Sequence, residues 1–197
     1  MNAPRTIGFL LVTACAFITL VGCNKVGVAN ESGESRARAA ANDPVSSAES
    51  AAPAAIAHNA SVVTVGPGGA MNVVRKGSNG WTCMPDAPDT PGPDPMCFDP
   101  NAAKWVDAWV HHQPVPAGAV GVMYMLEGGT DASNVDPYAS KPTGQNDWVN
   151  TGPHLMIVGS KEILTGYPSG AKPDTSAPYV MWAGTPYAHL MVPVKQG

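Results

Sequence analysis

The chain has 197 residues and a formal net charge of −4, with 11 lysines and arginines against 15 acids. A negative balance argues against a nucleic-acid binder. Once its non-globular ends are set aside, the length fits a single domain.

Residues 1–23, MNAPRTIGFLLVTACAFITLVGC, begin with one basic residue, Arg5, and continue into an apolar run from 7 to 21. That run is short for a membrane span and suits the apolar region of a signal peptide. It ends in Leu20-Val21-Gly22-Cys23, which resembles the lipobox of bacterial lipoproteins. The resemblance implies that Cys23 becomes the lipidated first residue of the mature chain and anchors it to a membrane. The next residue is Asn24 rather than aspartate, which in that class implies sorting to the outer membrane, facing the periplasm or the exterior. An ordinary cleaved signal or an uncleaved anchor is the alternative.

Residues 24–60 are rich in Ala, Ser, Glu and Asn and nearly free of large apolar side chains. Such a stretch buries too little surface to offset its ordering entropy, so it reads as a disordered tether. Residues 61–197 are then the single globular domain.

Ser61–Val65 is β-branched and predicts a strand, and a Gly-Pro-Gly-Gly turn leads to a second over 71–75, making a hairpin. A short third strand is expected over 81–83. Cys83 and Cys97 then enclose a segment with prolines at 85, 88, 91, 93 and 95. Proline fixes φ and removes a donor, so neither helix nor inner strand can form there. Three acids, Asp86, Asp89 and Asp94, point out of this loop into water or toward a cation. Joining the two cysteines as a disulfide would tie the loop's ends, adding roughly 3 kcal/mol through loop closure. Reactive or metal-binding thiols are the alternative, although the spacing fits neither a CxxC redox motif nor a zinc knuckle.

Asp99-Pro100 supplies an N-cap and an N1 proline, and Ala102, Trp105, Val106 and Trp109 follow at helical spacing. This is an amphipathic helix for a sheet face, with its tryptophans either in the core or lining a ligand pocket. His111 and His112 close it, where a cation is favoured by the helix dipole. Residues 119–126, AVGVMYML, predict a central strand.

Residues 127–153 form a long polar segment of the kind that is usually functional. Asp131, Ser133, Asn134, Asp136 and Asp147 suggest either calcium ligands or Asx turns, and the EF-hand pattern is absent. Tyr138 and Trp148 are candidates to pin the segment to the body. Between 77 and 153 nine acids face only Lys104 and Lys141, a balance that favours cations or cationic partners. Further strands are expected over 154–158, 179–182 and 187–192, the last two as a closing hairpin. The fold class is therefore α+β: a mostly antiparallel sheet of about five to seven strands, one amphipathic helix on a face and one disulfide.

His154-Leu155-Met156 and His189-Leu190-Met191 repeat one phrase. Residues two apart share a strand face, so each phrase projects an imidazole and a thioether to one side. Met123 and Met125 do the same. If these strands are neighbours, His154, Met156, His189 and Met191 form a candidate copper site, because thioethers with imidazole select Cu(I). Core packing is the competing account of the same residues. No GxSxG or HExxH signature appears, and a hydrolase would need His111, His112, His154 or His189 with a distant acid. A module that binds a small molecule or an envelope protein needs only the features already described.

The blocks GSNGWTCMPD, DPMCFDPNA, TGPHLMIV and PYVMWAGTPYAHLMVPV resemble a family of uncharacterised, mostly proteobacterial secreted proteins. The resemblance spans most of residues 73–194. It implies one shared domain and carries no activity with it.

Overall fold

The computed structural model describes residues 43–87, 90, 92–128 and 132–194. The signal region, Cys23 and Asp131 lie outside them. The body is one eight-stranded sheet with helices on both faces. Its strands are β1 (Ser61–Val65), β2 (Met71–Arg75), β3 (Thr82–Met84), β4 (Met96–Phe98), β5 (Gly121–Met125), β8 (His154–Val158), β9 (Tyr179–Met181) and β10 (His189–Pro193). The spatial order is β2-β1-β3-β4-β5-β8-β10-β9. Only β1 and β3 pair in parallel; every other neighbouring pair is antiparallel. A separate small hairpin joins β6 (Ala132–Ser133) to β7 (Trp148–Val149) inside the long polar segment.

The α+β class stands, and the strand count exceeds the expected five to seven. The additional strand is β4, which carries Cys97 directly opposite Cys83 on β3. The two are joined in a disulfide. The proline excursion leaves and re-enters the sheet at this pair, so strand pairing resumes as soon as the last proline is passed.

The helices also number more than the single one expected. α1 (Pro44–Ser50) and α2 (Ala54–Ala57) lie in the stretch assigned to the tether. Asp43 caps α1 by accepting from the backbone N–H groups of Val45 and Ser46. Ala48, Ala51, Ala52, Ala57 and Ala60 pack on Val62, Cys83 and Cys97. Arg75 on β2 reaches over both helices. It pairs with Glu49 and donates to the carbonyls of Ala57 (2.9 Å) and Ala60 (3.0 Å). Residues 43–60 thus belong to the folded body, and the rest of the expected tether, 24–42, lies outside the described residues. Alanine was the reason for the misreading: it supplies little apolar area, yet its small size lets a helix approach the sheet closely.

The opposite face carries α3 (Pro100–Val110). Asp99 caps it through the N–H groups of Asn101 (3.0 Å) and Ala102 (2.7 Å). Its second oxygen accepts from Val122 N (3.1 Å), which ties the helix start to β5. Gly121 makes the approach possible, because a Cβ there would collide with the Ala102 backbone. Ala102, Trp105, Val106 and Ala108 are buried. Among the described residues no helix is long and apolar enough to cross a membrane.

Candidate binding cavity between sheet and lid

The register of β5, β8, β10 and β9 sets out one face. Met123 opposes Met156, and Met156 opposes Met191. Met125 opposes His154, and Met181 opposes His189. Both histidines project to this face, as the repeated His-Leu-Met phrase implies. They are not neighbours, however. Met191 pairs with Met156 and Pro193 with His154, so the two imidazoles flank the Met156–Met191 pair from opposite ends.

Over this face lies a cavity of about 170 Å³. Its floor is the sheet, α3 forms a wall, and the segment carrying β6 and β7 covers it. His154, Met156, His189 and Met191 all line it. So do Met96, Met123, Met125 and Met181, which brings six of the chain's nine methionines to one space. Four tryptophans, Trp105, Trp109, Trp148 and Trp182, complete the apolar lining. Trp105 and Trp182 stack in nearly parallel planes, 4° apart.

The lid is fastened by aromatic side chains. Trp182 donates its indole N–H to Ser133 O (2.8 Å) and its backbone N–H to Asn134 O (2.9 Å). Trp109 donates to Pro137 O (3.2 Å), and Tyr138 Oη donates back to Trp109 O (3.1 Å). Tyr138 also stacks on His112 with ring centres 4.0 Å apart. Tyr138 does pin the segment, and Trp148 lines the cavity from β7.

The chemistry of the two histidines follows from their partners. His154 Nδ1 lies 2.7 Å from Gly152 O, and His189 Nδ1 lies 2.9 Å from Tyr187 O. A carbonyl oxygen only accepts, so each Nδ1 carries the proton and each Nε2 keeps its lone pair. Burial disfavours the charged ring and holds both below the usual histidine range, His189 at about 4. Both are therefore neutral ligand-type imidazoles. Each Nδ1 is taken by the backbone rather than by a carboxylate, which is not the arrangement of a histidine–acid general base. His189 Nε2 is fully buried and has no hydrogen-bond partner among the described residues. Trp105 and Trp182 meet the His189 ring nearly edge-on, with centroids at 5.3 and 4.8 Å.

The other candidate residues have their own partners, although Ser133 and Asp136 also line the cavity. His111 Nδ1 lies by Asp107 on the exposed end of α3. Ser133 Oγ donates to Asn146 O and accepts from Val135 N and Asp136 N. Asn134 Nδ2 donates to the carbonyls of Gly170 and Ala171, and Asp136 Oδ1 accepts from Tyr138 N. The Ser133 and Asp136 oxygens thus build turns within the lid, and the Asn134 amide ties the lid to the 170–171 loop. No group of three or more His, Cys, Asp or Glu among the described residues could hold a metal ion. At the rim, Asp94 and Asp136 line the cavity. Asp94 accepts from Ala87 N (2.7 Å) and Thr90 Oγ1 (3.0 Å), and burial, with Asp86 beside it, raises its carboxyl above the usual range.

Sequence reasoning found the histidines and the methionines of β5, β8 and β10. It missed Met96, whose strand it did not foresee, and Met181 and Trp182, which it placed in the closing hairpin without reading their side chains into the site. No family model, curated protein or solved structure matches the chain, so the functional reading rests on this geometry.

Proposed function

We propose that the protein is a lipoprotein of the bacterial cell envelope, anchored to the outer membrane through Cys23, that works as a binding module. Its ligand is a small molecule or ion taken into the cavity between sheet and lid. The observation that carries this reading is the lidded apolar cavity itself, with a buried imidazole nitrogen on its wall that lacks a partner among the described residues. Pockets of this make-up, largely apolar with a few convergent polar groups, are the usual form of ligand sites. A well-packed core leaves few voids larger than a water molecule, so a space of about 170 Å³ is more than a packing remnant.

The anchor is tested by the mass of the protein recovered from the membrane fraction, which is expected to show a lipid adduct on Cys23. An unmodified Cys23 would remove the anchor from the proposal. The cavity is tested on the full mature chain carrying Cys23→Ser, free of detergent, with indole as probe. A cavity of this size accepts a small aromatic molecule. Saturable shifts are expected in the methyl NMR signals of the cavity methionines, with Met71 on the exposed edge strand unmoved. Ala132→Phe, which fills the space from the lid, is expected to abolish them. No saturable shift, or the same shift in Ala132→Phe, would overturn the reading.

A further inference from the structure

The repeated phrase does more than place two histidines on one face. His189 has Met191 two residues along its own strand and Met181 directly across on β9. His154 has Met156 two residues along its strand and Met125 directly across on β5. The fold has thus built one three-donor arrangement twice, each with one imidazole and two thioethers. The two triads meet at the Met156–Met191 pair.

We propose that the cavity is a Cu(I) site, the ion held by His189 Nε2 with the thioethers of Met181 and Met191, and that His154, Met125 and Met156 offer a matching second triad. This rests on the reading of the cavity as a binding site and names its ligand. Four observations carry it. His189 Nε2 is fully buried without a hydrogen-bond partner among the described residues, an arrangement that is costly unless something occupies its lone pair. The Nδ1–H···O=C bonds to Tyr187 and Gly152 are the outer contacts that hold a metal-binding imidazole in the Nδ1–H tautomer, leaving Nε2 as the ligating atom. The donors are soft and uncharged, and thioether with imidazole selects Cu(I) over the harder divalent ions. Zinc, by contrast, draws on thiolate, imidazole and carboxylate. Finally, the indole rings of Trp105 and Trp182 stand against His189, with centroids 5.3 and 4.8 Å from its ring, and surround it with apolar surface. Asp94 and Asp136 at the rim supply a negative approach to this otherwise neutral space.

The test is a Cu(I) titration of the full mature chain carrying Cys23→Ser, under ascorbate, against the chromogenic chelator bathocuproine disulfonate. Binding with a dissociation constant below about 1 µM is expected, with nitrogen and sulfur neighbours in X-ray absorption. His189→Gln is expected to weaken retention at least about tenfold. The double variant His154→Gln/His189→Gln is expected to abolish it. Met181→Leu keeps the volume and the apolar character and removes only the sulfur, so it is expected to weaken binding without loss of fold. Zn(II) is expected not to compete. Failure to retain Cu(I), or retention unchanged in the folded double variant and in Met181→Leu, would overturn the inference. If indole still shifts the cavity methionines in that case, the binding module stands and copper alone is withdrawn. If neither probe binds, both readings fall together.

Discussion

The two faces of this sheet are built on opposite principles. On one, alanines from α1 and α2 close directly over Val62 and the Cys83–Cys97 disulfide, and Arg75 satisfies the helix-end carbonyls. On the other, the side chains are large and flexible, methionine above all, and they leave a cavity. The buried side-chain atoms without a hydrogen-bond partner among the described residues are Trp105 Nε1, Asn134 Oδ1, Tyr179 Oη and His189 Nε2. Trp105, Tyr179 and His189 belong to the methionine face, and Asn134 belongs to its lid. Small residues give close contact with nothing to spare, while long unbranched ones tolerate a void and adapt to what enters it. A single sheet therefore carries its cross-link on one side and its binding chemistry on the other. That division makes the two sides separable by experiment.

Acid should act on the hollow side first, and with the larger effect. Burial lowers the pKa of His154 and takes that of His189 to about 4. Each folded value lies below the value in the unfolded chain, about 6.5. As pH falls, the unfolded state therefore gains its protons before the folded state does. The stability contributed by neutral burial is complete above about pH 6.5 and is lost progressively toward about pH 4. For His189 alone the loss is about 3 kcal/mol, to order of magnitude, and His154 adds to it in the same direction. Urea unfolding of the metal-free protein at a series of pH values is expected to show this decline. His189→Gln is expected to flatten it. An equal slope in that variant would mean the decline comes from groups other than His189.

How much of this was legible in the sequence depends on the size of the side chains involved. The β1–β2 hairpin, α3 and the β9–β10 hairpin were readable because β-branched runs, a Gly-Pro-Gly-Gly turn and an Asp-Pro cap speak locally. The same cap signal stands at Asp43-Pro44 ahead of α1. The helix behind it is almost wholly small or polar, so its local pattern shows no face to bury. Its partner was the disulfide, which is adjacent only after the sheet has formed. β4 was hidden for a related reason: the prolines around it end at Pro95, and pairing begins at Met96. The candidate site divides in the same way. The His-Leu-Met repeat gave the right face, since alternation along a strand is local. The distance between the histidines was not readable, because it depends on the β8–β10 register. That register sets Met156 against Met191 and so moves the imidazoles to opposite ends. Helical spacing puts Trp105 and Trp109 on the apolar face of α3, whereas the places of Trp148 and Trp182 depend on how the lid crosses that helix and are not readable from spacing.

The smaller effect should come from the packed side, and it sharpens the contrast. Cys83 and Cys97 are separated by 14 positions and joined across β3 and β4. Opening a loop of that length releases denatured-state entropy equivalent to about 3 kcal/mol. The double variant Cys83→Ala/Cys97→Ala is expected to lower the urea midpoint accordingly while the chain still folds. Its loss should be uniform across pH 4 to 7, because the buried histidines among the described residues, His154 and His189, lie on the other face. The methyl signals of the cavity methionines, and the response of those signals to indole, are expected to match the parent protein. The reason is physical: successive strand residues point to opposite faces, so Cys97 faces the alanine helices while its neighbour Phe98 faces the methionines. If removing the disulfide shifts those methionines or weakens indole, the sheet is transmitting strain from one side to the other. The cross-link would then belong to the binding site as well as to the scaffold.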